Sequence, residues 1–136
     1  MVSRILQVIC LLGAAAPAWG GSPCDAVSRD LPSERKAVAV LAPEIAKQLN
    51  VTSVDVLQSF TLGSWQIIYV NTHESDEPFL FYSGDPLKTR YVTMWSGAAG
   101  MDEEQEIRAW TLKNAPGIPR GLASCFAWHV TKARDQ

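Results

Sequence analysis

The chain has 136 residues, 47% of them hydrophobic and 19% charged, with 12 basic side chains against 14 acidic ones. That length suits one domain, and the apolar content excludes a disordered chain. A mildly acidic balance without a Lys/Arg cluster among aromatics excludes nucleic acid as a partner.

Residues 1–20, MVSRILQVICLLGAAAPAWG, read as a signal peptide. Arg4 supplies the positive n-region, Ile5 to Ala16 the apolar stretch, and small residues a cleavage site. The stretch is shorter than the roughly 20 apolar residues of a membrane span. Cleavage before Trp19 or before Gly21 fits the small-residue rule, and the second is preferred. A lipid anchor is disfavoured, because Cys10 lies inside the apolar run and Cys24 follows Pro23. The expected product is a single small domain over 21–136, periplasmic or secreted, with no membrane span.

Cys10 leaves with the signal peptide, so Cys24 and Cys125 remain as an even pair. In an oxidising compartment that pair reads as one disulfide. It closes a loop of roughly 100 residues, worth about 4.7 kcal/mol by the chain-entropy argument. A redox role would call for a Cys-x-x-Cys or a positive setting, and neither is visible.

Ser33 is the candidate N-cap of a first helix, with Glu34 in its first turn. Val38, Leu41, Ile45 and Leu49 mark its apolar face. Pro43 predicts a kink or two abutting short helices, and Asn50 a stop. From Val51 the period becomes two, with Val54, Val56 and Gln58 on one face. Leu62-Gly63-Ser64 is a turn, Trp65 to Val70 a strand rich in β-branched and aromatic residues, and Phe79 to Tyr82 a short apolar strand. Ser83-Gly84-Asp85-Pro86 is a turn, and Arg90 to Trp95 a further strand. Asp102 and Gln105 suggest a capping box for a second helix, with Ile107, Trp110 and Thr111 inward, ending near Asn114. Residues 115–121 form a loop, Leu122 to Thr131 a last strand, and Lys132 to Gln136 a polar tail. The fold class is α+β: a helix, then an antiparallel four- to five-stranded meander, with a second helix before the last strand and helices covering one sheet face.

No catalytic residue, metal ligand set or cofactor motif stands out. Asn71 to Glu77 gathers His73, Glu74, Asp76 and Glu77 in one inter-strand loop. His73 with Asp76 or Glu77 would serve acid–base or metal chemistry, though the spacing matches no established ligand pattern and a solvated hairpin loop has the same composition. His129, next to Trp128 on the expected last strand, would face away from it. Lys88 and Arg90 beside the Asp85 turn offer an anion site or a plain structural turn. Alternation in the strands puts Phe79 and Phe81 on one face and Tyr82 on the other, with Tyr69 alongside Ile67 and Trp65. Some aromatics therefore belong either to a second buried layer or to a binding face.

The sequence supports a non-enzymatic exported domain that binds a protein or envelope ligand through a sheet face or its loops. Tyr69, Tyr82, Trp95 and His73 are the candidate contact residues. The alternatives are a small metal-dependent or acid–base hydrolase using the His73 loop, and an accessory subunit of an envelope assembly. Composition gives no oligomeric state.

Overall fold

The structure is a computed structural model and describes residues 21–29 and 35–134. The expected signal peptide, the expected Ser33 cap and residues 135–136 lie outside the described residues. Helix α1 (Arg35–Leu49) leads into four strands, β1 (Asp55–Leu62), β2 (Trp65–Asn71), β3 (Phe79–Tyr82) and β4 (Thr93–Trp95). Helices α2 (Glu104–Asn114) and α3 (Arg120–Trp128) follow, and α3 runs on into a π-helical turn, His129–Ala133. The strands pair antiparallel in sequence order, β1-β2-β3-β4. The fold is α+β, with a helix leading into a four-stranded meander.

Helix α1 is continuous through Pro43, so the two-helix alternative does not apply. It lays Leu41, Ile45 and Ala46 on Val54, Ile68, Val70, Leu80 and Tyr82. Asn50 ends it with φ 56°, the left-handed C-terminal stop that asparagine tolerates. β1 and β2 meet at a two-residue hairpin whose Gly63 has φ 61°, a geometry glycine adopts without steric penalty. A β-bulge between Val56 and Gln58 changes which face β1 presents. Val56 lies opposite Val70 under α1, whereas Phe60 lies opposite Ile67 on the other face. Strict alternation would have kept Val56 and Phe60 together.

On that other face Phe60, Ile67, Phe79 and Phe81 form the main core with Ile107, Leu122, Phe126 and Val130. Helices thus cover both faces of the sheet, which corrects the expectation of one covered and one open face. The physical reason is visible in β3, where all four residues are buried. A strand buried on both sides reads as a continuous apolar run.

Three further expectations are corrected. The predicted last strand, Leu122 to Thr131, is helical. Leu122, Phe126 and Val130 recur every four residues on the buried side, Ala123 and Ala127 favour helix, and Pro119 stands at the N-cap position. The Asp102–Gln105 capping box is not made. Glu103 is the N-cap of α2, and its carboxylate accepts the Gly100 backbone N–H instead. The strand predicted from Arg90 is paired only over Thr93–Trp95.

The disulfide joins Cys24 to Cys125, and so pins the N-terminal segment to α3 rather than to a strand. The same segment pairs with β1 through Ser28 and Thr61, each backbone N–H donating to the other's carbonyl at 3.0 and 2.8 Å. Gly121 lies where α3 crosses β1, and a Cβ there would come within 3.3 Å of Leu62. Its lack of a side chain permits this close approach.

Candidate functional site

The register β2–β3–β4 sets Tyr69 opposite Phe79, and Phe79 opposite Trp95. Tyr69 stacks on Phe79 with ring centroids 4.2 Å apart. Trp95 meets both Phe79 and Phe126 at an angle. This row of rings runs along the end of the sheet, and Arg134 lies over it. Its guanidinium carbon is 5.8 Å from the Tyr69 centroid, 5.7 Å from Phe79 and 5.9 Å from Trp95. These are cation–π distances. Its Nη1 donates to the Gly97 carbonyl, and its Nη2 donates to the Tyr69 hydroxyl at 3.5 Å. The Tyr69 hydroxyl in turn donates to Glu77. Burial first, and then the hydrogen bond to Glu77, push the Tyr69 phenol above its ordinary range, while Arg134 opposes the shift. The phenol therefore stays protonated as a bridge between an acid and a base.

In front of this array lies an open cleft of about 550 Å³, lined by Asn71, Ser75, Asp76, Glu77, Gly97, Ala98 and Arg134. Beyond Ala98 and Arg134 a second hollow continues toward Met101, Val130 and Lys132. Lys132 is paired with Glu104.

Of the residues chosen from sequence, Tyr69 and Trp95 are brought together here. Tyr82 is not. It is fully buried beneath α1, where its hydroxyl donates to Gln48 Oε1 at 2.9 Å, so it belongs to the core and offers a partner no surface. Burial raises its phenol pKa well above the ordinary value. Gln48 completes this polar joint by donating to the Pro86 and Thr89 carbonyls at 3.0 and 3.1 Å. Arg90 donates to the Gln48 carbonyl and covers the Tyr91 ring, so the turn after β3 is tied to α1 by its own polar groups.

His73 is exposed, with φ 62°, and its Nε2 lies 2.9 Å from Asp55 Oδ2. Its backbone N–H donates to Asn71 Oδ1 at 2.8 Å. His73 is thus directed toward β1, while Glu77 is directed toward Tyr69. Among the described residues, no three His, Cys, Asp or Glu side chains are grouped to hold a metal ion. Trp128 and His129 stand on α3 and the π-helical turn after it, not on a strand. His129 is buried, edge-on to Phe60 at 4.9 Å and to Phe79 at 6.1 Å, while Trp128 is half-buried at the rim of the core. Desolvation, helped by the charges of Arg29 and Arg134, lowers the His129 pKa from 6.5 to about 4.

Arg134 and Glu77 are the site residues that sequence reasoning missed as a pair. Arg134 fell in the expected polar tail, and only the helical course of 120–133 carries it back to the rings. No protein-family model, curated protein or solved structure matches this chain.

Proposed function

We propose that the chain is an exported, non-enzymatic binding domain that holds a protein or envelope ligand at the end of its sheet. The contact surface is the cleft between the 71–78 loop, the segment after β4 and the C-terminal turn. The observation that carries this reading is the fixed Arg134, stacked on Tyr69, Phe79 and Trp95 beside the open carboxylate of Asp76. Rigid aromatic and arginine side chains with a neighbouring charge are the composition of binding hot spots, because little conformational freedom is left to lose on contact. Export is supported by the character of residues 1–20. The disulfide, and the lack among the described residues of any helix long and apolar enough to cross a membrane, are compatible with it.

The test is capture from envelope extract on the immobilised chain from Gly21 onward, with the disulfide intact, followed by mass spectrometry. Tyr69→Phe and Asp76→Asn variants are run in parallel. Loss of one stoichiometric partner from both variants, each with an unchanged circular dichroism spectrum, supports the cleft. Equal capture by all three proteins rejects it. N-terminal sequencing of the exported product, cut at Ala18 or Gly20, tests the address.

A further inference from the structure

The two edges of the sheet are built differently. The β1 edge carries a bulge, an acid at Asp55 and the bridging Ser28 segment. Each of these keeps a foreign strand from adding. The β4 edge has no charged residue from Tyr91 to Met101. Met94 within β4 and Val92 in the bend just before it are 39% and 47% exposed. Met94 sits opposite Leu80, on the α1 side of the sheet. There it joins Leu49, Val51 and Pro78 around a hollow of about 210 Å³, closed by Thr72, Ser75, Asp76 and Ser96. Asp76 is exposed and forms no ion pair with another described residue. Asp76 and Ser75 line both this hollow and the Arg134 cleft, so one acid stands between an apolar seat and the site described above.

We infer that β4 accepts an extended segment of a partner protein as a fifth strand. The segment places an apolar side chain on Met94 at the hollow, and a Lys or Arg beside Asp76. This deepens the binding reading above and rests on it. Main-chain pairing supplies register in strand addition, and the alternate side chains supply specificity. With only Thr93–Trp95 in regular strand geometry, the backbone contribution is short. Selectivity therefore falls to the hollow and to Asp76, whose charge excludes an acidic segment at that position.

The experiment is an amide chemical-shift titration of the full mature chain with capped peptides of alternating Leu and Lys. A matched peptide with Glu in place of Lys serves as control. The expected result is perturbation of Val51, Ser75 and Met94 to Ser96, no response to the Glu peptide, roughly tenfold weaker binding by Asp76→Asn, and loss of binding by Met94→Lys. Silence up to millimolar peptide, an unaffected Asp76→Asn, or a dimer in sedimentation that protects β4 without peptide would each overturn the proposal. Perturbation confined to the Arg134 cleft overturns strand addition and leaves the binding reading standing. Running Met94→Lys through the envelope capture separates the two. A partner kept by Met94→Lys but lost by Tyr69→Phe rejects only strand addition, whereas one kept by both variants rejects both readings.

Discussion

His129 couples the stability of this fold to pH. It is 4% exposed, held between aromatic rings, with a pKa lowered from 6.5 to about 4. The neutral form is the one the fold accommodates. As pH falls, the unfolded chain takes up the proton first, so stability present above about pH 6.5 is lost progressively down to about pH 4. The loss is about 2 kcal/mol by roughly pH 5 and about 3 kcal/mol once the pH is below both values. Carboxylates bind few protons above about pH 5, which leaves the upper part of this window to histidine. The assay is urea unfolding followed by tryptophan fluorescence at closely spaced pH values, in a His73→Gln background so that one histidine titrates. The same series on the His73→Gln, His129→Gln double variant gives the baseline. The slope between neutrality and about pH 5 should vanish in the double variant. A background protein whose stability is flat over that interval would refute the reasoning, because a buried neutral imidazole cannot be titration-silent.

Replacing both Cys24 and Cys125 by serine removes a crosslink spanning 101 residues; the expected loss is about 4 to 5 kcal/mol in urea unfolding, and a loss below about 1 kcal/mol would mean that the Ser28–Thr61 bridge already restrains the segment. Tyr82→Phe leaves Gln48 Oε1 without its donor and should cost about 1 to 2 kcal/mol, measured by the same unfolding assay. Gly63→Ala forces an L-residue to φ 61° and should cost about 1 kcal/mol, with Gly63→Asn costing less; equal costs would argue against the positive-φ turn. Phe126→Ala opens the centre of the ring cluster made with Phe79, Phe81 and Trp95, for which thermal and urea unfolding should show a loss of about 3 to 5 kcal/mol.

Where periodicity was unambiguous, the sequence was informative. Leu41 and Ile45 bury as the helical spacing predicts, and Ile67 and Ile68 fall on opposite sides of β2. The cysteine pair was legible by counting, because setting Cys10 aside with the expected signal peptide leaves one combination. Leu122 to Thr131 failed because a ten-residue apolar run carries both periods. Its helical repeat competes with β-branched Val130 and Thr131 and with aromatic Phe126 and Trp128. The bulge at β1 had no local signature, since no glycine marks it, and it shows only in the register that sends half-buried Val56 and buried Phe60 to different layers. Around the candidate site, strand alternation put Tyr69 on the face of Ile67 and Trp65, as the structure has it, but Tyr82 needed knowledge of where α1 docks. Arg134 needed the course of the last helix, which no local pattern of charge or hydropathy records.

The π turn explains why Arg134 reaches the rings at all. Eight residue steps separate Phe126, at the centre of the aromatic cluster, from Arg134. In an unbroken α-helix each step turns about 100°, which would leave Arg134 about 80° away from the Phe126 face. Across His129–Ala133 the i→i+5 turn winds each residue by only about 80°. The total then comes to nearly two whole turns, and Arg134 lies in line with Phe126. A π turn amounts to one extra residue in an α-helix, so removing one residue and adding one have opposite consequences. Deleting the exposed Lys132 restores α winding over seven steps and keeps the arginine within about 20° of the ring face, at the loss of the Glu104 pair. Inserting an alanine after Lys132 swings it off by a further step of about 100°. Near-ultraviolet circular dichroism, taken as the difference from a Trp95→Phe reference of the same protein, isolates the environment of Trp95 from that of the other tryptophans. The deletion should leave that signal close to the parent's, and the insertion should change it while the far-ultraviolet spectrum holds. The reverse pattern would mean that Arg134 is held by its bonds to Gly97 and Tyr69 rather than aimed by the helix.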